Sequence, residues 1–410
     1  MKILLLTATF PPQGGSGVQR PYYQFKHLSE FGHDVWVVGA SDSGWVSDDT
    51  FPLSHKEEER VLRVPLYKSK LEQRICTRLS KWTGCVPFPD RAAGWARRAF
   101  QASRRLIEKH AIDVIITSVG YGSMLSLGAK LQAITNGTLV VDFRDLLTSN
   151  PVYFEGNPYK HPLIRSIHAS AEDRWMKRAS AACAVSPHHA AIIWLRNPHL
   201  SAVRVIQNGF GDSSTGRRVF APNDKFTFRY TGFVHPSMRL DAFFEALARL
   251  QSRVPSVANE LVVEFYCGNP QFVSNLVESF GVGSLVEVNG YVPYGRVVEL
   301  QKSADALLLM WTPDPGCMCG KMYEYLAAGP PILAVSQGNV DGKFVVESTN
   351  RGLCCDAAEI ESLRDSILKF ARTDHACSFE EANIERYSRK NQNRLLSDLL
   401  IDLQDAGSGG

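Results

Sequence analysis

Short apolar runs and longer amphipathic stretches alternate along this chain. Runs rich in Val, Ile and Leu at 3–10, 34–40, 61–67, 114–118, 139–143, 181–185 and 202–207 suit strands buried on both faces of a parallel sheet. Between them, helices are predicted at 17–31, 91–110, 123–136, 164–179 and 188–196. In the fourth, Ile164, Ile167, Ala171 and Trp175 recur at helical spacing and predict one apolar face. A Gly/Ser-rich stretch at 208–216 then reads as a linker. A second cycle follows, with strands predicted at 226–230, 261–266, 286–288, 306–311 and 332–335. Its helices are predicted at 239–251, 271–280, 295–303, 319–328 and 342–349, with a last helical stretch at 379–402. Such alternation in both halves predicts an α/β protein of two doubly wound domains. Ligands of such sheets bind beyond the carboxyl ends of strands, beside helix N-termini.

Composition narrows the class. The chain has 410 residues, 44% hydrophobic and 21% charged, which is ordinary for a globular protein with room for two cores. Its net charge of +3 argues neither for nor against a polyanionic partner; no nucleic acid is expected among its partners. No apolar run approaches the ~18–20 residues of a membrane span. The opening Met1–Thr7 reads as a first buried strand rather than a secretion signal, so the cytoplasm is the expected compartment. Nine cysteines without paired spacing read as reduced thiols, and Cys317-x-Cys319 lacks the spacing of a structural zinc site. One stretch, 68–82, sets Lys68, Lys70, Arg74, Arg78 and Lys81 beside Leu71, Ile75, Leu79 and Trp82. At helical spacing this is a basic amphipathic segment, suited either to solvent or to peripheral contact with anionic membrane.

Three segments after strands carry candidate chemistry. Pro11-Pro12-Gln13-Gly14-Gly15-Ser16-Gly17 opens a helix, where glycines admit a close ligand and N–H groups face an anion. It matches neither G-x-G-x-x-G nor a P-loop, and a tight connecting turn is the plainer alternative. Asp142-Phe143-Arg144-Asp145 ends a strand, where buried charge must be paired or face a ligand, so both a structural ion pair and a substrate role stay open. Third, Lys321 and Glu324 sit three apart at a helix start, on one face of its first turn. An ammonium there suits a phosphate and a carboxylate suits a ribose diol; a surface ion pair is the plainer alternative.

The order of segments resembles the retaining GT-B glycosyltransferases of family four. The resemblance is carried by Lys2-Ile3-Leu4, Pro11-Pro12, Gly14-Gly15-Ser16-Gly17, Val185-Ser186, Gln207-Asn208-Gly209, Tyr230-Thr231-Gly232, Asp305–Leu309 and Glu324-Tyr325-Leu326-Ala327-Ala328-Gly329-x-Pro331. It spans nearly the whole chain. It implies an N-terminal Rossmann-like domain at 1–208 on the acceptor side and a linker at 209–225. A nucleotide-sugar domain follows at 226–378, and a helical segment at 379–405 packs back on the first domain. The implied activity is hexosyl transfer from a nucleotide-sugar donor to a glycan, lipid-linked or small-molecule acceptor, in cell-surface polysaccharide or glycoconjugate synthesis. Another GT-B enzyme (an epimerase or phosphorylase) and a non-catalytic nucleotide- or glycan-binding subunit are the alternatives.

By the same resemblance, Gly15, Ser16, Gly17, Asn208, Gly232, His235, Tyr291 and Glu324 bind the donor. Glu324 would hold the ribose, and Tyr291 would pack against the base. Lys321 and Arg239 are the candidates for stabilising the leaving diphosphate, and Arg144 and Asp145 for holding acceptor or donor sugar. The chain has no D-x-D, and neither a cofactor nor a divalent metal is expected. Two positions depart from the family. Gly316 stands where the first glutamate of E-x7-E falls, with Asp314 two residues before it, and the mid-domain histidine is absent.

Overall fold

The computed structural model describes residues 1–41, 50–83, 90, 92–135, 137–150, 162–211, 224–372 and 384–408. The chain divides into two compact units, Met1–Gln207 with Arg389–Gly410, and Asn208–Ser388.

The first unit runs β1 (Lys2–Leu6), α1 (Ser16–Glu30), β2 (Asp34–Ala40), α2 (His55–Glu58), β3 (Val61–Val64), α3 (Lys70–Thr83) and α4 (Ala93–His110). It continues with β4 (Val114–Val119), α5 (Gly122–Thr135), β5 (Thr138–Phe143), α6 (Pro162–Met176), β6 (Ala181–Ala184), α7 (Pro187–Arg196) and β7 (Ala202–Val205). The strands pair in parallel in the order β3-β2-β1-β4-β5-β6-β7. Period-two alternation splits the core between the faces. Ile3, Leu5, Val35, Val37 and Ile116 meet Phe25 and Leu28 of α1 on one side. Leu4, Leu6, Ile115, Leu139 and Val141 meet Trp95 and Ala99 of α4 and Leu125 of α5 on the other. The strand expected over 3–10 stops at Leu6, where local bonds take over: Thr7 Oγ1 donates to the Thr9 carbonyl at 2.9 Å.

The second unit holds β8 (Phe226–Gly232), α8 (Leu240–Arg253), α9 (Pro255–Ala258), β9 (Leu261–Cys267), α10 (Pro270–Phe280), β10 (Val286–Asn289) and α11 (Tyr294–Lys302). Then come β11 (Ala306–Met310), α12 (Gly320–Ala328), β12 (Ile332–Ser336), α13 (Val340–Ser348), β13 (Gly352–Asp356) and α14 (Ile360–Arg372). Its sheet is also parallel, in the order β10-β9-β8-β11-β12-β13. Phe228, Tyr230, Val263, Phe265 and Leu308 pack one face against Phe243, Phe244 and Leu247 of α8 and Ile367 and Phe370 of α14.

The last helix, α15 (Arg389–Ser408), belongs to the first unit. Its Leu396, Leu399 and Leu400 enter the cluster that contains Ile3 and Leu5. Asn393 meets His27 Nδ1 at 3.0 Å, Ser397 meets His33 Nε2 at 2.8 Å, and Arg389 lies 4.7 Å from the Tyr23 ring. Among the described residues no helix is long and apolar enough to cross a membrane. Linker positions 212–223 and segment positions 379–383 lie outside the described residues.

Candidate functional site

In each unit the strand order reverses beside the strand that opens it, between β1 and β4 and between β8 and β11. Connections leave in opposite directions there and open a crevice beyond the carboxyl ends. The candidate residues gather at these two points.

In the second unit, β8 ends at Gly232 with φ +110°, a conformation L side chains rarely adopt. A Cβ on Gly232 would lie 3.1 Å from Lys321 Cε and 3.3 Å from Nζ. The ammonium rests 3.7 Å from the centre of the Tyr230 ring, two residues back on the same face of β8. Tyr230 is fully buried and donates its hydroxyl to the Phe233 carbonyl at 2.7 Å. A cation on a desolvated aromatic face gains ~2 kcal/mol, which holds Lys321 on the ring. Burial pushes it down to about 8, against the pull of Cys319 and Glu324. Lys321 is the second residue of α12, whose N-cap, Cys319, makes no side-chain cap bond. The positive end of that helix and the ammonium therefore favour an anion at one place.

The neighbouring elements are braced. The Thr231 amide donates to Tyr325 Oη at 2.9 Å, and Gln301 Nε2 donates to Thr231 Oγ1 at 3.0 Å, tying β8 to α12 and α11. Tyr294 Oη, at the start of α11, donates to Glu324 Oε1 at 3.3 Å. In the loop before α12, Asn208 Nδ2 donates to the Met318 carbonyl and Asn339 Nδ2 to the Cys317 carbonyl, each at 2.8 Å. Asp314 is buried, and its Oδ1 accepts from the Gly316 amide at 2.9 Å. That carboxylate helps hold the turn that leads to Gly316.

His235 Nδ1 lies 2.7 Å from Ser237 Oγ and accepts from the Ser237 amide at 3.2 Å, which assigns the ring proton to Nε2. Arg239 caps α8, and its Nε pairs with both Asp241 oxygens at 2.9 and 3.1 Å. That bond raises the guanidinium's already high pKa and commits part of its charge. Tyr291 and Phe233 present exposed rings after β10 and β8. The sequence reading missed Tyr230, Tyr294 and Phe233. Period two from Gly232 would have found Tyr230; nothing in the sequence marks Tyr294.

In the first unit, α1 starts after Gly15 (φ 99°), with no side-chain cap, and the Pro11–Pro12 peptide is cis. The Ser16 side chain lies outside the described residues. Arg144 follows β5 and reaches back to this loop. Its Nη1 donates to Thr9 Oγ1 at 3.2 Å, which donates to the Gly17 carbonyl at 3.0 Å. A Cβ at Gly17 would lie 2.8 Å from Arg144 Nη2, so a side chain there would require the guanidinium to shift. Asp145 is exposed. Asp142 is fully buried and accepts from Arg20 Nε at 2.9 Å and Nη2 at 2.6 Å and from Gln24 Nε2 at 2.8 Å. Of the two readings left open, Asp142 takes the structural pair and Arg144 faces the helix start. The N-terminus of α5, also at this point, is occupied by Asp90, which accepts from the Ser123 amide at 2.7 Å and whose pKa burial pushes up.

No family model and no curated protein matches the sequence. The structure, by contrast, resembles sucrose-phosphate synthase from Thermosynechococcus elongatus, with TM-score 0.69 and 16% identity over 99% of both chains. It resembles trehalose-6-phosphate synthase from Burkholderia multivorans, with TM-score 0.70 and 11% identity over 100% of this chain and 97% of that one. HepE of Anabaena, solved with UDP and glucose, gives TM-score 0.65 and 15% identity over 98% of this chain and 100% of that one. At these identities the likeness establishes the fold: two Rossmann-like units of the GT-B type.

Proposed function

We propose that this chain is a glycosyltransferase that moves a hexosyl group from a nucleotide sugar to a glycan, lipid-linked or small-molecule acceptor. The observation that carries this reading is Lys321, seated over Tyr230 and Gly232 at the uncapped start of α12, with Glu324 three residues on. HepE, similar in fold, holds UDP and glucose, which supports the same ligand class here.

As the bond from the anomeric carbon to the diphosphate oxygen breaks, negative charge grows on the diphosphate. The Lys321 ammonium and the first N–H groups of α12 are aimed at such charge and need no reorganisation. Arg239, shared with Asp241, is secondary in this scheme. Glu324 takes the ribose hydroxyls and Tyr291 packs on the base, while Gly232, His235 and Asn208 line the donor. On the first unit's rim, Gly15, Ser16 and Gly17 offer backbone N–H groups, and Arg144 and Asp145 hold sugar hydroxyls. With retention, the acceptor hydroxyl attacks from the face the diphosphate leaves, and a donor phosphate oxygen takes its proton. No divalent metal enters this scheme.

The compartment proposed is the cytoplasm, with a role in cell-surface polysaccharide or glycoconjugate synthesis. α3 supports contact with an anionic membrane. Leu71 and Ile75 are 66% and 49% exposed, beside exposed Lys70, Arg74 and Arg78. The acid of this helix, Glu72, turns inward to Arg98 at 2.9 Å, so it does not offset those charges on the outer face.

Thermal shift against UDP, GDP, dTDP and CMP identifies the nucleotide, and NMR of donor-plus-acceptor reactions then follows the sugar. A glycosylated acceptor with the donor's anomeric configuration is the expected product. Epimerised donor without glycosylation would replace transfer by epimerisation, and binding without turnover would make the chain a binding subunit.

A further inference from the structure

Glu324 sits on the second turn of α12 and Tyr294 is the first residue of α11, and their side chains meet. The Tyr294 hydroxyl donates to Glu324 Oε1 at 3.3 Å, and both residues are partly exposed. Each is anchored from behind. Pro293, the N-cap of α11 at φ −60° and ψ 151°, has its φ fixed by its ring and sets where Tyr294 begins. Tyr325, next to Glu324, is buried and bonded to Thr231, which prevents α12 from rotating.

A glutamate on a helix surface has three rotatable side-chain bonds, and ordering it on ligand binding costs as much as ~1.5–2 kcal/mol. A bond from a rigid donor meets part of that cost beforehand. It also fixes the plane of the carboxylate. A carboxylate offers about four acceptor positions, so a bond from a phenol does not by itself fill it. Tyr291, whose exposed ring stands three residues before Tyr294, lies in the same short connection from β10 to α11. The base side of a nucleotide and its ribose would thus be read by one stiff segment.

We infer that Tyr294 is a positioning residue that orients the Glu324 carboxylate and so sets discrimination between a ribonucleotide and its 2′-deoxy counterpart. This rests on the proposed role of Glu324 as the ribose ligand. Tyr294 touches no reacting atom. Its effect falls on ligand selection more than on turnover at saturating donor.

The test is calorimetry with UDP and 2′-deoxy-UDP, and with GDP and 2′-deoxy-GDP, using whichever ribo form binds more tightly. The wild type should prefer the ribo form by about tenfold or more, the scale of one charge-assisted bond. Tyr294→Phe keeps the ring and should reduce that preference to roughly two- to threefold, the loss of a modest neutral donor. Its affinity for the deoxy form, which keeps only the 3′-hydroxyl, should fall less than its affinity for the ribo form, and KM for the donor should rise by more than kcat changes. Glu324→Ala separates the two layers of the argument. If Glu324→Ala keeps the wild-type preference, the ribose role of Glu324 falls and this inference falls with it. If Glu324→Ala loses the preference but Tyr294→Phe keeps it, only the assignment of Tyr294 is overturned. Equal loss for both sugars in Tyr294→Phe would reduce Tyr294 to packing and overturn it as well.

Discussion

Lys321 and Tyr230 form a cation–aromatic pair, with the ammonium 3.7 Å from the ring centre. The ring holds the charge where a diphosphate would need it, and Gly232 keeps the space beside it open. If this charge stabilises a leaving diphosphate, its interaction is stronger in the transition state than in the bound donor. Lys321→Ala should then lower kcat by roughly 10²–10³-fold and change donor KM less. Lys321→Arg should recover only part, because the longer, planar guanidinium places its charge elsewhere than the ammonium does. Near-wild-type kcat in Lys321→Ala, measured at steady state, would remove this lysine from the mechanism.

The same burial gives a signature in pH. Lys321 titrates at about 8 in the fold, against about 10.4 in an unfolded chain. Between those values the unfolded chain binds more protons, so stability rises with pH across the window and the penalty is complete below about 8. Lys321→Met should therefore raise Tm at pH 7 and flatten the rise in urea midpoint from pH 8 to 10. Affinity for the cognate nucleoside diphosphate should weaken in the wild type as pH rises through about 8, and this dependence should vanish in Lys321→Met.

Gly232→Ala tests the space beside the ammonium. A methyl there meets Lys321 Cε and Nζ at 3.1 and 3.3 Å and must adopt φ +110°. Strain of this kind costs ~1–3 kcal/mol. Displacement of the lysine adds a loss of nucleotide affinity, which calorimetry on the folded variant should record. Unchanged affinity would mean that the ammonium moves without consequence.

Activity should survive excess EDTA, because the proposed scheme puts the leaving-group charge on Lys321 and the α12 amides. Full loss on chelation, restored by magnesium or manganese, would require a metal in that scheme.

Flotation with vesicles tests α3. The protein should bind vesicles of 30% phosphatidylglycerol in phosphatidylcholine and leave pure phosphatidylcholine, and binding should weaken with salt. Leu71→Ser with Ile75→Ser should weaken it by roughly a hundredfold or more, since each buried aliphatic side chain contributes ~1.5–3 kcal/mol. Binding unaffected by both changes would place any membrane contact elsewhere.

Much of the architecture is legible in the sequence because most strands of both sheets are covered on both faces and so form continuous apolar runs. β13 escaped because it lies at an edge, and Gly352-Leu353-Cys354-Cys355-Asp356 is partly exposed and weakly apolar. The buried face of α6 is rotated from the expected stripe, although Trp175 of that stripe packs partly buried against the core. Ile167 is 59% exposed, while Glu172 and Met176 are buried. The acid is inside because it accepts from the Thr148 amide at 3.1 Å and from Arg196 at 3.2 Å, partners that periodicity does not reveal. The same limit applies at the candidate sites. Lys321 and Glu324 could be placed together because they are three apart on one helix. Arg20 meets Asp142 across 122 positions, and no local pattern announces such a pair.

α15 closes the first unit's core with Leu396, Leu399 and Leu400 against Ile3 and Leu5. On the ribosome, which adds about 5–20 residues per second, the whole of Asn208–Ser388 is made before that helix emerges. The second unit has all its strands by then and can fold first, while the apolar face of the older half waits uncovered for its last helix. A chain arrested before residue 389 would thus be a chaperone client by its amino-terminal half, although every strand of that half had long been synthesised.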